Sequence, residues 1–127
     1  MKVSFDFDGT LSRKDVQEYA KSLLERGIEV WITTSRSHES NAEAMEWNDD
    51  LYLVARELGI PKSQIHFMNA WIYGDDKSYW LKDQDFIWHL DDDWLELKSI
   101  QRECKQTFGI SVFGTNTWKQ KCDKLLK

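Results

Sequence analysis

Three features of this sequence predict an α/β fold, a mainly parallel five-stranded sheet between two layers of helices. Five short apolar segments read as strands, amphipathic helical patterns separate them, and polar or acidic residues collect directly after three of the five. Strands alternating with helices imply right-handed crossovers and a parallel sheet covered on both faces, a three-layer α/β/α arrangement. The 127 residues fit a single domain over 1–127, with no internal repeat, low-complexity tract or linker.

The strand segments are Lys2–Asp6, Ile28–Thr34, Gln64–Met68, Phe86–Asp91 and Ile110–Phe113. Between the first two, Asp15 to Arg26 sets Val16, Tyr19, Ala20, Leu23 and Leu24 on one helical face, and Gly27 is a suitable stop. Asp49 to Leu58 repeats the pattern with Leu51, Leu53, Val54 and Leu58, closed by Gly59 and Pro61. Lys77 to Asp83 is a short helix with Asp76 as its N-cap. Helices over Trp94–Phe108 and Trp118–Leu126 complete the set.

Composition narrows the function classes. Hydrophobic content of 41% and charged content of 31% are ordinary for a globular protein. No apolar run approaches the roughly 20 residues of a membrane span, and the N-terminus lacks a signal-peptide pattern, so a cytoplasmic protein with no membrane partner is expected. Cys104 and Cys122 have no metal-ligand spacing and read as free thiols. A net charge of −5 argues against broad non-specific binding to nucleic acid.

In open α/β sheets the ligand sits outside the carboxyl ends of the strands. Here Asp6 and Asp8 follow the first strand, Thr33, Thr34, Ser35 and Arg36 the second, and Asp91, Asp92 and Asp93 the fourth. Like charges at one spot cost free energy unless something neutralises them. A divalent cation and a phosphoryl group would do so, which makes this edge of the sheet a candidate phosphate site.

These motifs resemble the haloacid dehalogenase-like superfamily of phosphohydrolases, which has a Rossmann-like fold. The family's first motif, an apolar strand followed by DxDx(T/V), is matched by Asp6-Phe7-Asp8-Gly9-Thr10-Leu11. Its second, a Ser or Thr ending a strand, fits Val30-Trp31-Ile32-Thr33-Thr34-Ser35-Arg36, with the register selecting Thr34. Its third is a lysine before the fourth strand, and its fourth, an apolar strand ending in acids, is matched by Phe86-Ile87-Trp88-His89-Leu90-Asp91-Asp92. The resemblance runs from Lys2 to about Asp93 in the family's order.

The resemblance implies that Asp6 attacks phosphorus and carries an aspartyl-phosphate. Asp8 would protonate the leaving oxygen and then deprotonate the hydrolytic water. Mg2+ would be held by Asp6, the backbone carbonyl of Asp8, and Asp91, with Asp92 ligating directly or orienting a bound water. Thr34 would hydrogen-bond a phosphoryl oxygen, and the backbone N–H groups of Gly9 and Thr10 would help to cradle it, beside Ser35 and Arg36. For the lysine, Lys77 and Lys82 compete. Lys77 starts its helix at the catalytic edge and Lys82 lies about 7.5 Å further along the axis, so Lys77 is chosen. An aspartate at position 8 fits the family's phosphatases rather than its ATPases or dehalogenases. The helix and strand that follow each motif leave no room for a cap domain, which implies an open site for a phosphorylated substrate, small molecule or nucleic-acid end, or a lid supplied by a second copy.

Other residues have plainer readings. Asp93, Asp75 and Asp76 suit helix capping. Arg36 either binds substrate or makes a surface salt bridge. His66 and His89 lie within strands as core or supporting groups, and His38 reads as an exposed loop residue. Lys119, Lys121, Lys124 and Lys127 form the solvated face of an amphipathic helix rather than a nucleic-acid patch. Trp47, Trp71 and Tyr73, in the loops Ser37–Asn48 and Asn69–Asp76, read as core or dimer packing, with base stacking as the alternative. A catalytically silent domain that binds a phosphorylated ligand or a protein is the competing function. A phospho-accepting receiver domain ranks last, because its acidic pair precedes the phosphorylated aspartate by strands.

Overall fold

In the computed structural model, which describes residues 1–38, 46–114 and 117–127, five strands form one sheet. The strands are β1 (Lys2–Phe5), β2 (Glu29–Thr34), β3 (Ile65–Phe67), β4 (Trp88–Asp91) and β5 (Phe108–Ser111). Their order is β3-β2-β1-β4-β5, and every neighbouring pair is parallel. The helices are α1 (Lys14–Glu25), α2 (Asp49–Leu58), α3 (Ala70–Tyr73), α4 (Ser78–Leu81), α5 (Trp94–Glu103) and α6 (Thr117–Leu125). The chain leaves β1 in one direction toward β2 and β3 and returns on its other side as β4 and β5, so the strand order reverses beside β1. That crevice is where an open α/β sheet receives a ligand.

Strand alternation gives the sheet two different faces. Val3, Phe5, Val30, Ile32, Trp88, Leu90 and Ile110 pack with Val16, Tyr19, Ala20 and Leu23 of α1, Leu51 and Ala55 of α2, and Trp118 and Cys122 of α6. Trp88 anchors this core: Phe5 meets it edge-on at 5.2 Å, and its indole N–H donates to the Cys122 carbonyl at 3.2 Å. A second apolar cluster, Leu81, Phe86 and Ile100 with Trp31, Trp80 and Cys104 against it, gathers residues of α4 and α5. Ser4, Thr33, His89 and Asp91 are fully buried polar residues of β1, β2 and β4, with Ser4 directly opposite His89 in register.

The local differences from expectation have physical causes. Helix α5 ends at Glu103 rather than Phe108, because Cys104 turns extended (φ −102°, ψ 122°) and residues 104–107 carry the chain into β5. That strand begins at Phe108, two residues earlier than its apolar pattern suggests; as an edge strand it exposes Phe108. Lys77–Asp83 contracts to Ser78–Leu81, and Asp76 accepts the Ser78 N–H at 3.1 Å. The expected loop Asn69–Asp76 contains α3, entered through Asn69 at φ 53°. On α2, Leu51, Val54 and Leu58 face the core as expected, while Leu53 is exposed and Ala55 is buried in its place. The Trp71 side chain and positions 39–45 of the 37–48 loop lie outside the described residues. Among the described residues, no helix is long and apolar enough to cross a membrane.

Candidate active site

Strand β1 ends by delivering Asp6 into the crevice, and the chain then turns through Phe7–Leu11, closed by the Leu11 N–H on the Asp6 carbonyl at 3.0 Å and the Ser12 N–H on the Phe7 carbonyl at 2.9 Å. Asp6 is anchored by its own amide, which donates to the Leu90 carbonyl of β4 at 2.9 Å. The turn passes through Gly9 at φ 75°, in the left-handed region. A Cβ at Gly9 would overlap the carboxylate of Asp92, so glycine here lets β1 and β4 bring their acids together. Thr10 is buried and donates from Oγ1 to Asp6 Oδ2 at 3.2 Å, and the Gly9 N–H donates to Ser12 Oγ at 3.1 Å.

Lys77 joins the two strand ends. Its Nζ donates to Asp6 Oδ1 at 2.6 Å and to Asp91 Oδ2 at 2.7 Å, with the side chain 2% exposed. Its backbone N–H donates to Glu96 Oε2 at 2.9 Å, which pins the start of α4 to α5. Lys82 instead sits with its ammonium 5.0 Å from the Tyr79 ring centroid. Asp6, Asp91 and Asp92 each place a carboxylate oxygen within 4.8 Å of the others. Burial pushes the Asp6 carboxyl well above the ordinary carboxylate range, against the pull of the Lys77 ammonium. Asp92 moves up for the same first reason. Asp91 goes the other way: burial raises it, but the His89 hydrogen bond and the Lys77 charge outweigh that and hold it low. For Lys77, the two aspartates outweigh burial and keep the ammonium charged.

Asp8 stands apart from this cluster. Arg36 grips it bidentately, Nε to Oδ2 at 2.9 Å and the second terminal nitrogen to Oδ1 at 2.7 Å. The same guanidinium holds both oxygens of Asp50 at 2.7 and 3.0 Å, reaches the Trp47 carbonyl at 3.0 Å and lies 5.0 Å from the Phe7 ring centroid. Of the two readings for Arg36, the structure therefore has the ion pair, with Asp8 as one partner. Thr34 is fully buried, and its Oγ1 accepts the Arg36 N–H at 3.1 Å. Ser35 lines a cleft of about 400 Å3 together with Asp6, Asp8, Lys77, Asp91, Asp92, Asp93 and Trp94. An adjoining recess of about 330 Å3 is bounded by Asp8, Arg36, Ser37, Trp47 and Asn48. A larger recess of about 550 Å3 along α2, lined by Tyr52, Arg56 and Lys62 among others, carries none of these acids.

Behind the acids, Ser4 Oγ lies 2.7 Å from Thr33 Oγ1 and 2.8 Å from His89 Nδ1, and His89 Nε2 lies 2.8 Å from Asp91 Oδ2. Burial holds the His89 ring below its ordinary value and therefore neutral. Asp93 caps α5, accepting the Leu95 N–H at 2.9 Å, while its own N–H donates to Asp91 Oδ1 at 3.0 Å. His38 is exposed, and His66 stacks on Trp80 at 4.0 Å, away from the acids.

Four residues escape a reading of the motifs alone, Asp50, Glu96, Trp94 and Ser4, whereas His89 is the buried supporting group expected of it. Ser4 carries a legible signal, a hydroxyl inside an otherwise apolar strand. Asp50 and Glu96 carry none, since their partners lie 14 and 19 residues away across intervening elements. Trp94, 63% exposed at the cleft rim, reads in sequence as the first residue of a helix. The donor set is all-oxygen, with three carboxylates against one ammonium, which suits a hard divalent cation such as Mg2+. Compared with known proteins, the chain matches no family model and no curated protein.

Proposed function

We propose that this chain is a Mg2+-dependent phosphohydrolase of the haloacid dehalogenase-like type, working through an aspartyl-phosphate on Asp6. The observation that carries the reading is the lysine-bridged carboxylate cluster. Lys77 Nζ within 2.7 Å of both Asp6 and Asp91, with Asp92 alongside, gathers the ends of β1 and β4 and the start of α4 at the reversal of strand order. Asp6, Asp91 and Asp92 would hold the cation, which when bound would offset charge on the transferring phosphoryl group. Its presence would also favour the ionised Asp6 that burial disfavours.

In this reading Asp6 attacks phosphorus while Lys77 neutralises charge on the phosphoryl oxygens. Asp8 donates a proton to the leaving oxygen and takes one back from the hydrolytic water. Before it can do either, Asp8 must free an oxygen from the Arg36 fork. Ser35, which lines the cleft, would bind the phosphoryl group together with the Thr34 hydroxyl proton and the Thr10 amide, and the Gly9 amide would join them on leaving Ser12 Oγ. The cleft suits an accessible phosphomonoester. Trp94 at its rim favours substrates carrying an aromatic group, a nucleotide or nucleic-acid end, because base–aromatic stacking contributes about 1–3 kcal/mol. The expected setting is the cytoplasm, and a second copy could close the open cleft.

The fork of Arg36 on Asp8 is also the observation that favours the second reading, a catalytically silent phospho-ligand or protein-binding module, because both oxygens of the acid–base residue are occupied. Hydrolysis of p-nitrophenyl phosphate separates the two. The phosphohydrolase turns over with Mg2+, stops in EDTA, loses about 10³-fold or more on Asp6→Asn and about 10²–10⁴-fold on Asp8→Asn. Metal-independent turnover, or turnover surviving in folded Asp6→Asn, sinks the mechanism. Inactivity toward aryl phosphates, nucleoside monophosphates and 3′-phosphorylated oligonucleotides alike supports the binding module.

A further inference from the structure

The polar line behind the acids is built unlike the rest of the sheet. Val3 and Phe5 flank Ser4 on β1, Ile32 precedes Thr33 on β2, and Trp88 and Leu90 flank His89 on β4, all with no more than 1% exposure. Hydroxyls and an imidazole in such surroundings cost free energy unless every donor and acceptor is matched. Here they are matched in one direction. A carboxylate only accepts, so Asp91 Oδ2 assigns the proton of the neutral imidazole to Nε2. His89 Nδ1 must then accept, which makes Ser4 the donor to it, and Thr33 the donor to Ser4. The chain of donation runs Thr33 to Ser4 to His89 to Asp91.

Its end point is specific to one oxygen. Asp91 Oδ2 takes both Lys77 Nζ at 2.7 Å and His89 Nε2 at 2.8 Å, which fills its two lone-pair directions. Oδ1 takes the Asp93 N–H at 3.0 Å, and Asp91 brings a carboxylate oxygen within 4.8 Å of oxygens of Asp6 and Asp92. We propose that His89 is a positioning residue for a divalent-cation site. Donated to through Ser4 and Thr33, it locks Asp91 by Oδ2 so that Oδ1 is the oxygen offered to the cation. This rests on the cation site of the proposed phosphohydrolase and adds to it a buried tier of three residues that touch neither cation nor substrate.

Binding of Mn2+ alone, measured by calorimetry on the full chain without substrate, tests the proposal apart from turnover. His89→Leu removes the donor and weakens Mn2+ binding by about 10–100-fold, the usual effect of losing a partner that orients a ligand. His89→Gln restores an N–H donor near Nε2 and stays within about 3-fold of wild type. Ser4→Ala, the gentler variant should His89→Leu fail to fold, weakens binding in the same direction by a smaller factor. Thr107→Val removes a buried hydroxyl whose partner is the Phe86 carbonyl, so it controls for lost stability and leaves Mn2+ affinity unchanged. Wild-type affinity in folded His89→Leu or Ser4→Ala, or equal loss in His89→Gln and His89→Leu, overturns the positioning role and leaves the phosphohydrolase reading intact. Absence of Mn2+ binding to the wild-type protein overturns both.

Discussion

Gly9 sits at φ 75° with the carboxylate of Asp92 where its Cβ would be, so a single missing methyl keeps the two acidic strand ends in contact range. Gly9→Ala adds a left-handed backbone penalty of about 1–2 kcal/mol and displaces Asp92. The expected outcome is a lower urea midpoint together with weaker Mg2+ activation, read as a raised metal concentration for half-maximal aryl phosphatase activity. A fall in stability with unaltered Mg2+ dependence would show that Asp92 has no part in the cation site. Arg36 shows the limit of residue-level reading. Its sequence position two residues after Thr34 allows substrate binding and a salt bridge equally, whereas its surroundings satisfy it with Asp8, Asp50 and a backbone carbonyl. Asp50 has no feature in sequence that marks it as the second partner, because only the return of α2 toward the strand ends makes them neighbours.

Elements were legible where one physical signal dominated. Helix α1 has a clear apolar stripe and a glycine after it, and the predicted face of Val16, Tyr19, Ala20 and Leu23 is buried. Leu23→Ala there removes a fully buried side chain from the principal core and costs about 2–5 kcal/mol, measured as a shift in the denaturation midpoint. Activity per folded molecule should hold, since α1 packs on the face opposite the Ser4–His89 line. The end of α5 was less legible: the apolar periodicity continues past Glu103, while the chain turns extended at Cys104 and goes on to pair Phe108–Ser111 with β4. The strands around the candidate site were readable from their acids and threonines. The polar tier beneath them was not, because Ser4, Thr33 and His89 acquire a common meaning only when β2, β1 and β4 lie side by side.

For the whole molecule, acid sensitivity is set by groups of opposite sign. Burial lowers the His66 pKa from 6.5, so the unfolded chain binds more protons below that value. The His66 contribution is complete above pH 6.5 and is lost as the pH falls from there through the depressed folded value. Asp6 acts oppositely: its raised carboxyl makes the folded state the better proton binder below that raised value, which favours folding on acidification. Comparing wild type with His66→Gln isolates the histidine. Between pH 7.5 and 5.5 in EDTA, the urea midpoint of the wild type should fall relative to that of the variant, and parallel profiles would refute the assignment.

The central place of β1 has a further consequence, visible in time rather than in space. Parallel partners on both sides, β2 and β4, close its hydrogen-bonding edges, and the Asp6 amide is spent on Leu90. The outer strands β3 and β5 each have one partner. Hydrogen exchange should therefore find β3 and β5 opening at low free energy, while the amides of β1 and Asp6 exchange only with global unfolding. Asp6, the proposed nucleophile, would then be carried by the last segment to let go of its protons, and the candidate site would outlive the partial openings of the sheet that bears it.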